Sequence, residues 1–157
     1  MGERVDALVA RLDKGARKTD ECFARLTDEQ SCRVIYAEPG AWTVRDVLAH
    51  FLSSEVALLR VAQDIAAGGP GAPPAFDYNA FNAQEQARLA GLSSEALRSA
   101  LTAARAATLA WLANLDDRDL DCVGRHPALG EINIETFVNA MYGHQLMHVR
   151  DLARLLA

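Results

Sequence analysis

The residues of this chain best placed to do chemistry are His144 and His148, in Tyr142-Gly143-His144-Gln145-Leu146-Met147-His148. Four positions are just over one helical turn. On an α-helix the two imidazoles therefore stack on one face, roughly 6 Å apart along the axis, within reach of one shared cation. An H-x-x-x-H spacing also arises by chance on amphipathic helices, so the pair alone is a weak motif. His50 supplies a third nitrogen donor, in Trp42-Thr43-Val44-Arg45-Asp46-Val47-Leu48-Ala49-His50-Phe51. Its neighbours along the same face, Val47, Ser54, Ala57 and Leu58, are small or apolar, so this face looks into a core. Each buried imidazole needs partners for its ring nitrogens, and one cation would serve all three. The bland alternative is three core histidines satisfied by ordinary hydrogen bonds, with no metal.

Three neutral imidazoles would leave a divalent ion its full charge and at least one open position, the pattern of catalytic sites rather than closed structural ones. Water held there has its pKa lowered towards ~7, and a thiol held there is deprotonated. Nitrogen ligands suit zinc or nickel over magnesium or calcium. Asp46, one turn before His50, could support a ligand imidazole from behind, but Thr43 and Asp46 also read as a helix-capping box. His126, beside Pro127, is the second candidate for such a supporting role and reads equally as loop structure. Tyr142 and Gln145 flank His144 and read as packing residues, while Asn79 and Asn82 could reach a ligand or cap a helix.

The elements that must position these side chains are helices. Val5, Leu8, Leu12, Ala16, Thr19, Phe23 and Leu26 recur every three or four residues and predict a helix from about Glu3 to Leu26. Thr27 with Gln30 resembles a capping box for a short extra turn, and Ser31 to Ala37 is too short for a helix. Glu38-Pro39-Gly40 marks a turn before a second long helix, capped by Thr43 and reaching about Ala67. Gly68-Gly69-Pro70-Gly71-Ala72-Pro73-Pro74 denies a helix both its entropy and its hydrogen bonds, and is expected to be a mobile loop. Tyr78 to Ala90 reads as a short helix or irregular arm. Ser93 caps a third long helix carrying Leu97, Leu101, Ala104, Thr108, Trp111 and Leu115. Asp116 to Gly130 is a polar connection, and Asn133 caps a last helix with Phe137, Val138, Met141, His144, His148, Leu152 and Leu155 inward. The expected fold is all-α. It is a single domain over residues 1–157, a four-helix bundle with a Gly/Pro-rich loop and a short extra helix between the second and third long helices, and no internal repeat is evident.

A chain of 157 residues, 50% hydrophobic and 24% charged, has the size and balance of one globular domain. Its net charge of -5 provides no basic excess for nucleic acid or an anionic membrane surface. No apolar run reaches the ~18 residues of a membrane span, and Met1-Gly2-Glu3-Arg4 leads into a polar, periodic segment without a signal-peptide core, so a cytoplasmic protein is expected. Cys22, Cys32 and Cys122 are odd in number and widely spaced, which argues against a disulfide framework or a zinc knuckle.

Trp42-Thr43 with Asp46 and His50, His126-Pro127 with Gly130, and His144 with His148 follow one another in an order and helical setting that resembles the DinB-like superfamily, also described by its YfiT-like members. The resemblance spans nearly the whole chain. It implies a four-helix bundle holding a divalent metal, commonly nickel or zinc, on three histidines, here His50, His144 and His148. It also implies kinship with mycothiol-dependent maleylpyruvate isomerases and with transferases that use low-molecular-weight thiols, and a homodimer. The expected protein is a metal-dependent enzyme, a thiol-dependent S-transferase or isomerase or else a hydrolase, acting on a small-molecule substrate. The alternative is a non-catalytic bundle that binds a metal or a small molecule.

Overall fold

Short polar residues start the helices where the sequence places them. In a computed structural model, which describes residues 2–38 and 40–157, six α-helices appear: α1 (Glu3–Ala24), α2 (Asp28–Ser31), α3 (Val44–Ala66), α4 (Tyr78–Leu89), α5 (Ser94–Leu112) and α6 (Ile134–Leu156). Thr27, Thr43, Asp77, Ser93 and Asn133 each accept a backbone N–H of the first turn that follows, satisfying a donor with no intrahelical partner. Thr27/Gln30 and Thr43/Asp46 form complete capping boxes. At α1 the N-cap is Gly2, which has no side chain to offer. Asp117 serves instead, accepting the Val5 N–H at 3.0 Å and the Arg4 N–H at 3.3 Å from the far side of the chain.

The four long helices α1, α3, α5 and α6 form the bundle, each of α1 and α3 packing against both α5 and α6. Where sequence reasoning found only connections, the chain forms two antiparallel hairpins, β1 (Val34–Tyr36) with β2 (Trp42–Thr43), and β3 (Val123–His126) with β4 (Gly130–Asn133). Two- to four-residue strands lack the length for a legible alternation of apolar and polar positions. Of the Glu38-Pro39-Gly40 turn, Pro39 lies outside the described residues. The long helices end at Ala24 and Ala66, within two residues of the expected limits.

A second unexpected feature is a structural repeat. Long helix, short helical turn, hairpin, long helix occurs twice, as α1-α2-β1-β2-α3 and as α5, a 3-10 turn at Asp119–Asp121, β3, β4 and α6. Buried positions correspond between the copies: Val44 with Ile134, Val47 with Phe137, Phe51 with Met141, Ala62 with Leu152. The side chains differ, which is why no repeat shows in the sequence.

Apolar side chains gather in two clusters. One contains Leu8, Leu12, Ile65, Leu112, Phe137 and Met141, the other Phe23, Leu48, Phe51, Leu97, Leu101 and Leu152. Full burial of such a side chain stabilises by about 1.5–3 kcal/mol. In the same bundle lie buried Glu55, Arg105, Thr108 and Gln145. Arg105 Nη2 donates to Glu55 Oε2 at 2.7 Å, Thr108 Oγ1 to Glu55 Oε1 at 2.5 Å and Gln145 Nε2 to Glu55 Oε2 at 3.2 Å.

The Gly/Pro-rich loop is fastened to β3 rather than free. Arg125 N–H donates to Pro70 O at 2.9 Å and Ala72 N–H to Arg125 O at 2.8 Å. Gly71 sits at φ +81, where a Cβ would come within 2.5 Å of Arg125 O, so backbone strain and space both demand glycine.

Candidate metal centre

The centre is built where α3 and α6 meet and the two hairpins lead into them. β2 runs directly into α3 and β4 into α6, so each hairpin stands beside the helix it starts. α3 presents His50 from its second turn, and α6 presents His144 and His148 one turn apart. Their ring nitrogens converge. His50 Nε2 lies 3.0 Å from His144 Nε2, and His148 Nε2 lies 3.1 Å from the same atom. Among the described residues these three histidines form the group of ligand atoms, all within 4.8 Å of one another, that could hold a metal ion.

The donor set fits a cation. A tetrahedral ion bonded to imidazoles at about 2.0–2.1 Å separates its nitrogens by about 3.3 Å, close to the 3.0 and 3.1 Å that separate His144 Nε2 from its two neighbours. Nitrogens this close cannot all carry protons, so at least one lone pair faces the centre. The outer nitrogens of His50 and His148 have partners of their own. Ser54 Oγ lies 3.3 Å from His50 Nδ1, and Tyr36 Oη lies 2.7 Å from His148 Nδ1 while donating to Asp151 Oδ2 at 2.7 Å.

Burial keeps the imidazoles neutral. It is the main cause holding His50 down to about 3, with the charges of His144 and His148 adding to it and the amide oxygen of Asn82, as an acceptor for the ring, opposing. His148 is lowered to about 4 by burial and by His144, against the pull of Asp151, and burial lowers His144 as well. Neutral imidazole is the form that coordinates a metal. Aromatic side chains enclose the centre: Trp42 lies 5.0 Å from His50, Phe51 5.7 Å and Tyr36 5.4 Å from His148, between ring centroids.

The remaining candidates divide. Asp46 commits its carboxylate to Thr43, accepting from the backbone N–H at 2.8 Å and from Oγ1 at 2.9 Å, and Gln86 Nε2 donates to its carbonyl at 2.8 Å. Its bonds thus fix the first turn of α3. His126 Nδ1 accepts from Ala128 N–H at 3.0 Å and Leu129 N–H at 3.2 Å, and its ring lies against Phe137. Its pKa falls to about 4, through burial and the charge of His144. Asn82 raises the His50 pKa against the effect of burial, whereas Asn79 donates its backbone N–H to the Asp77 cap. Gln145 belongs to the buried Glu55 network. The three cysteines are unpaired and absent from the ligand group.

Sequence reasoning missed Tyr36, Ser54 as a partner of His50, and Asp151. Asp151 follows His148 by three positions on one helix face, a readable signal; Tyr36, in a three-residue strand, left none.

A search of curated proteins gives no match. Among solved structures the fold is shared with YfiT from Bacillus subtilis, described as a probable metal-dependent hydrolase with an unusual four-helix bundle topology, at TM-score 0.80 and 18% identity, covering 99% of this chain and 87% of that one. It is shared also with a mycothiol-dependent maleylpyruvate isomerase, at TM-score 0.77 and 14% identity, over 97% of this chain but 63% of the isomerase. A third similar structure is the colibactin self-resistance protein ClbS in complex with a dsDNA, at TM-score 0.71 and 13% identity, over 98% of this chain and 97% of that one. None of the helices is long and apolar enough to cross a membrane, among the described residues. The DinB superfamily model matches residues 11–152, a span that holds His50, His144 and His148 together with both hairpins, and the chain therefore belongs to the DinB superfamily.

Proposed function

We propose that this protein is a metal-dependent enzyme that activates water or a small thiol towards an electrophilic small molecule, with zinc or nickel held by His50, His144 and His148. The observation that carries this reading is the convergence of three neutral imidazoles on one point, with Nε2 contacts of 3.0 and 3.1 Å. When bound, the ion supplies a Lewis acid with an open position, which lowers the pKa of the water or thiol that joins it. The protein supplies the rest. Trp42 and Phe51 exclude bulk water from the ligand rings. His126, with Nδ1 occupied by two backbone donors, carries its proton on Nε2 and stands as a neutral hydrogen-bond donor beside the centre. Asp46 acts indirectly, by capping the turn that carries His50.

Water and thiol chemistry have unequal support. The hydrolase description of YfiT accompanies coverage of 87% of that chain, whereas the thiol-using isomerase has a further third that this chain does not span. The likeness to ClbS does not extend to a DNA-binding proposal, because a net charge of -5 offers no counterpart to phosphate.

The test begins with elemental analysis of protein purified without a histidine tag, where close to one zinc or nickel per chain is expected, with clear loss in His148→Ala. Stripped and reloaded protein is then assayed on esters, amides and lactones with water, and on epoxides and activated alkenes with small thiols. Equal metal in parent and His148→Ala overturns the site. A metal-replete protein that accelerates none of these reactions moves the reading to a non-catalytic binding bundle.

A further inference from the structure

Each neutral imidazole carries one proton, and which nitrogen carries it decides which can bind a metal. For His148 the surroundings answer the question. Tyr36 Oη donates its single proton to Asp151 Oδ2 at 2.7 Å, because a carboxylate can only accept. The other oxygen of Asp151 faces Arg154 Nη1 at 3.6 Å. With its proton spent, the tyrosine oxygen can only accept from His148 Nδ1, 2.7 Å away. The proton of His148 is thereby held on Nδ1, and the Nε2 lone pair is left facing His50 and His144.

We propose that Tyr36 and Asp151 are positioning residues for the metal site, a carboxylate–tyrosine relay that holds His148 in its metal-binding tautomer and orientation. Carboxylates and carbonyls that accept from the outer nitrogen of a ligand histidine do the same work directly. Here a tyrosine delivered by β1 is interposed, and it ties that strand to α6. His50 has a longer contact, 3.3 Å to Ser54 Oγ, so His148 is the most firmly directed of the ligands. The inference deepens the metal-site reading and rests on it for its functional meaning, while the tautomer can be measured without any metal.

The test uses full-length protein labelled with nitrogen-15 at histidine and stripped of metal, with Tyr36→Phe and Asp151→Asn beside the parent. Phenylalanine keeps the ring packed against His148 and removes only the bridging oxygen. Asparagine lets its NH2 donate to Tyr36, which then turns its own proton towards Nδ1. Long-range nitrogen–proton correlation at neutral pH is expected to show the parent His148 protonated on Nδ1, and both variants to lose that preference with unchanged helical content. Zinc affinity, measured by competition with a chromophoric chelator, should weaken by roughly 10–100-fold in Tyr36→Phe. A parent protonated on Nε2 overturns the proposal, as does Tyr36→Phe with unchanged tautomer and zinc affinity. A parent with the Nδ1 proton that binds no zinc supports the relay and overturns the metal reading.

Discussion

Glu55 and Gln145 meet across the seam between the two helices that carry the histidines, Gln145 Nε2 donating to Glu55 Oε2 at 3.2 Å. They stand at corresponding places, each twelve residues beyond its helix N-cap, Thr43 or Asn133. Glu55 is five residues after His50 and Gln145 follows His144 directly, so this bond fixes the register in which the histidines face each other.

Arg105 supplies the positive partner of Glu55, and both are nearly inaccessible to water. Removing one member leaves a buried charge uncompensated, which costs about 3–5 kcal/mol. Glu55→Leu and Arg105→Met should each lower stability by about that amount, while the double variant recovers much of the loss. A urea-unfolding cycle measures it. Additive single effects would mean that the pair is not coupled.

Acid should destabilise the metal-free protein through its histidines. The unfolded chain takes up protons below the ordinary histidine pKa of about 6.5, whereas folded His50 holds out to about 3 and His148 and His126 to about 4. The unfolded state therefore binds more protons between those limits, and stability falls as pH drops below 6.5. His50, the most deeply buried of the three, contributes about 2 kcal/mol of the loss between pH 7 and 5, and His148 and His126 contribute less because solvent screens them. The slope of urea stability against pH should be smaller in His50→Gln than in the parent, and equal slopes would count against this assignment.

Gly71→Ala should lower stability by about 1–2 kcal/mol from backbone strain at φ +81 alone, with more from the approach to Arg125 O. Thermal unfolding reads this directly. Gly40→Ala, where an added Cβ meets nothing within 4 Å, is the control and should change little.

Replacing Cys22, Cys32 and Cys122 together by serine should leave metal content unchanged, since the ligand group consists of histidines. Burial raises the thiol pKa of Cys22, so it is held as an inert thiol. Elemental analysis of the triple variant decides the point, and loss of metal with intact helical content would require a thiolate ligand.

What sequence reasoning recovered is mostly local. The caps at Thr43, Ser93 and Asn133 obey rules spanning three residues, and His144 with His148 follows from helical spacing. His50 was legible because it falls on an apolar stripe. Tyr36 was not, because its partner lies 115 positions away and the strand that carries it is three residues long. Glu55 and Arg105 went unremarked in the sequence, although each lies on the inward stripe of its helix, Glu55 one turn beyond Phe51 and Arg105 one turn beyond Leu101. A charge on an apolar stripe is a signal that it will find a buried partner.

The repeated helix–hairpin–helix unit has a consequence for how the molecule holds together. The two long helices of each unit bury their apolar stripes chiefly against those of the other, since α1 and α3 both pack on α5 and α6. Neither half completes a hydrophobic core by itself. The three histidines are divided the same way, His50 from the first half and His144 with His148 from the second. The protein is in effect a dimer of half-chains made covalent, with the three histidines on the contact between them. An autonomous half would have neither a core nor a site, so folding and assembly of the centre form a single cooperative event.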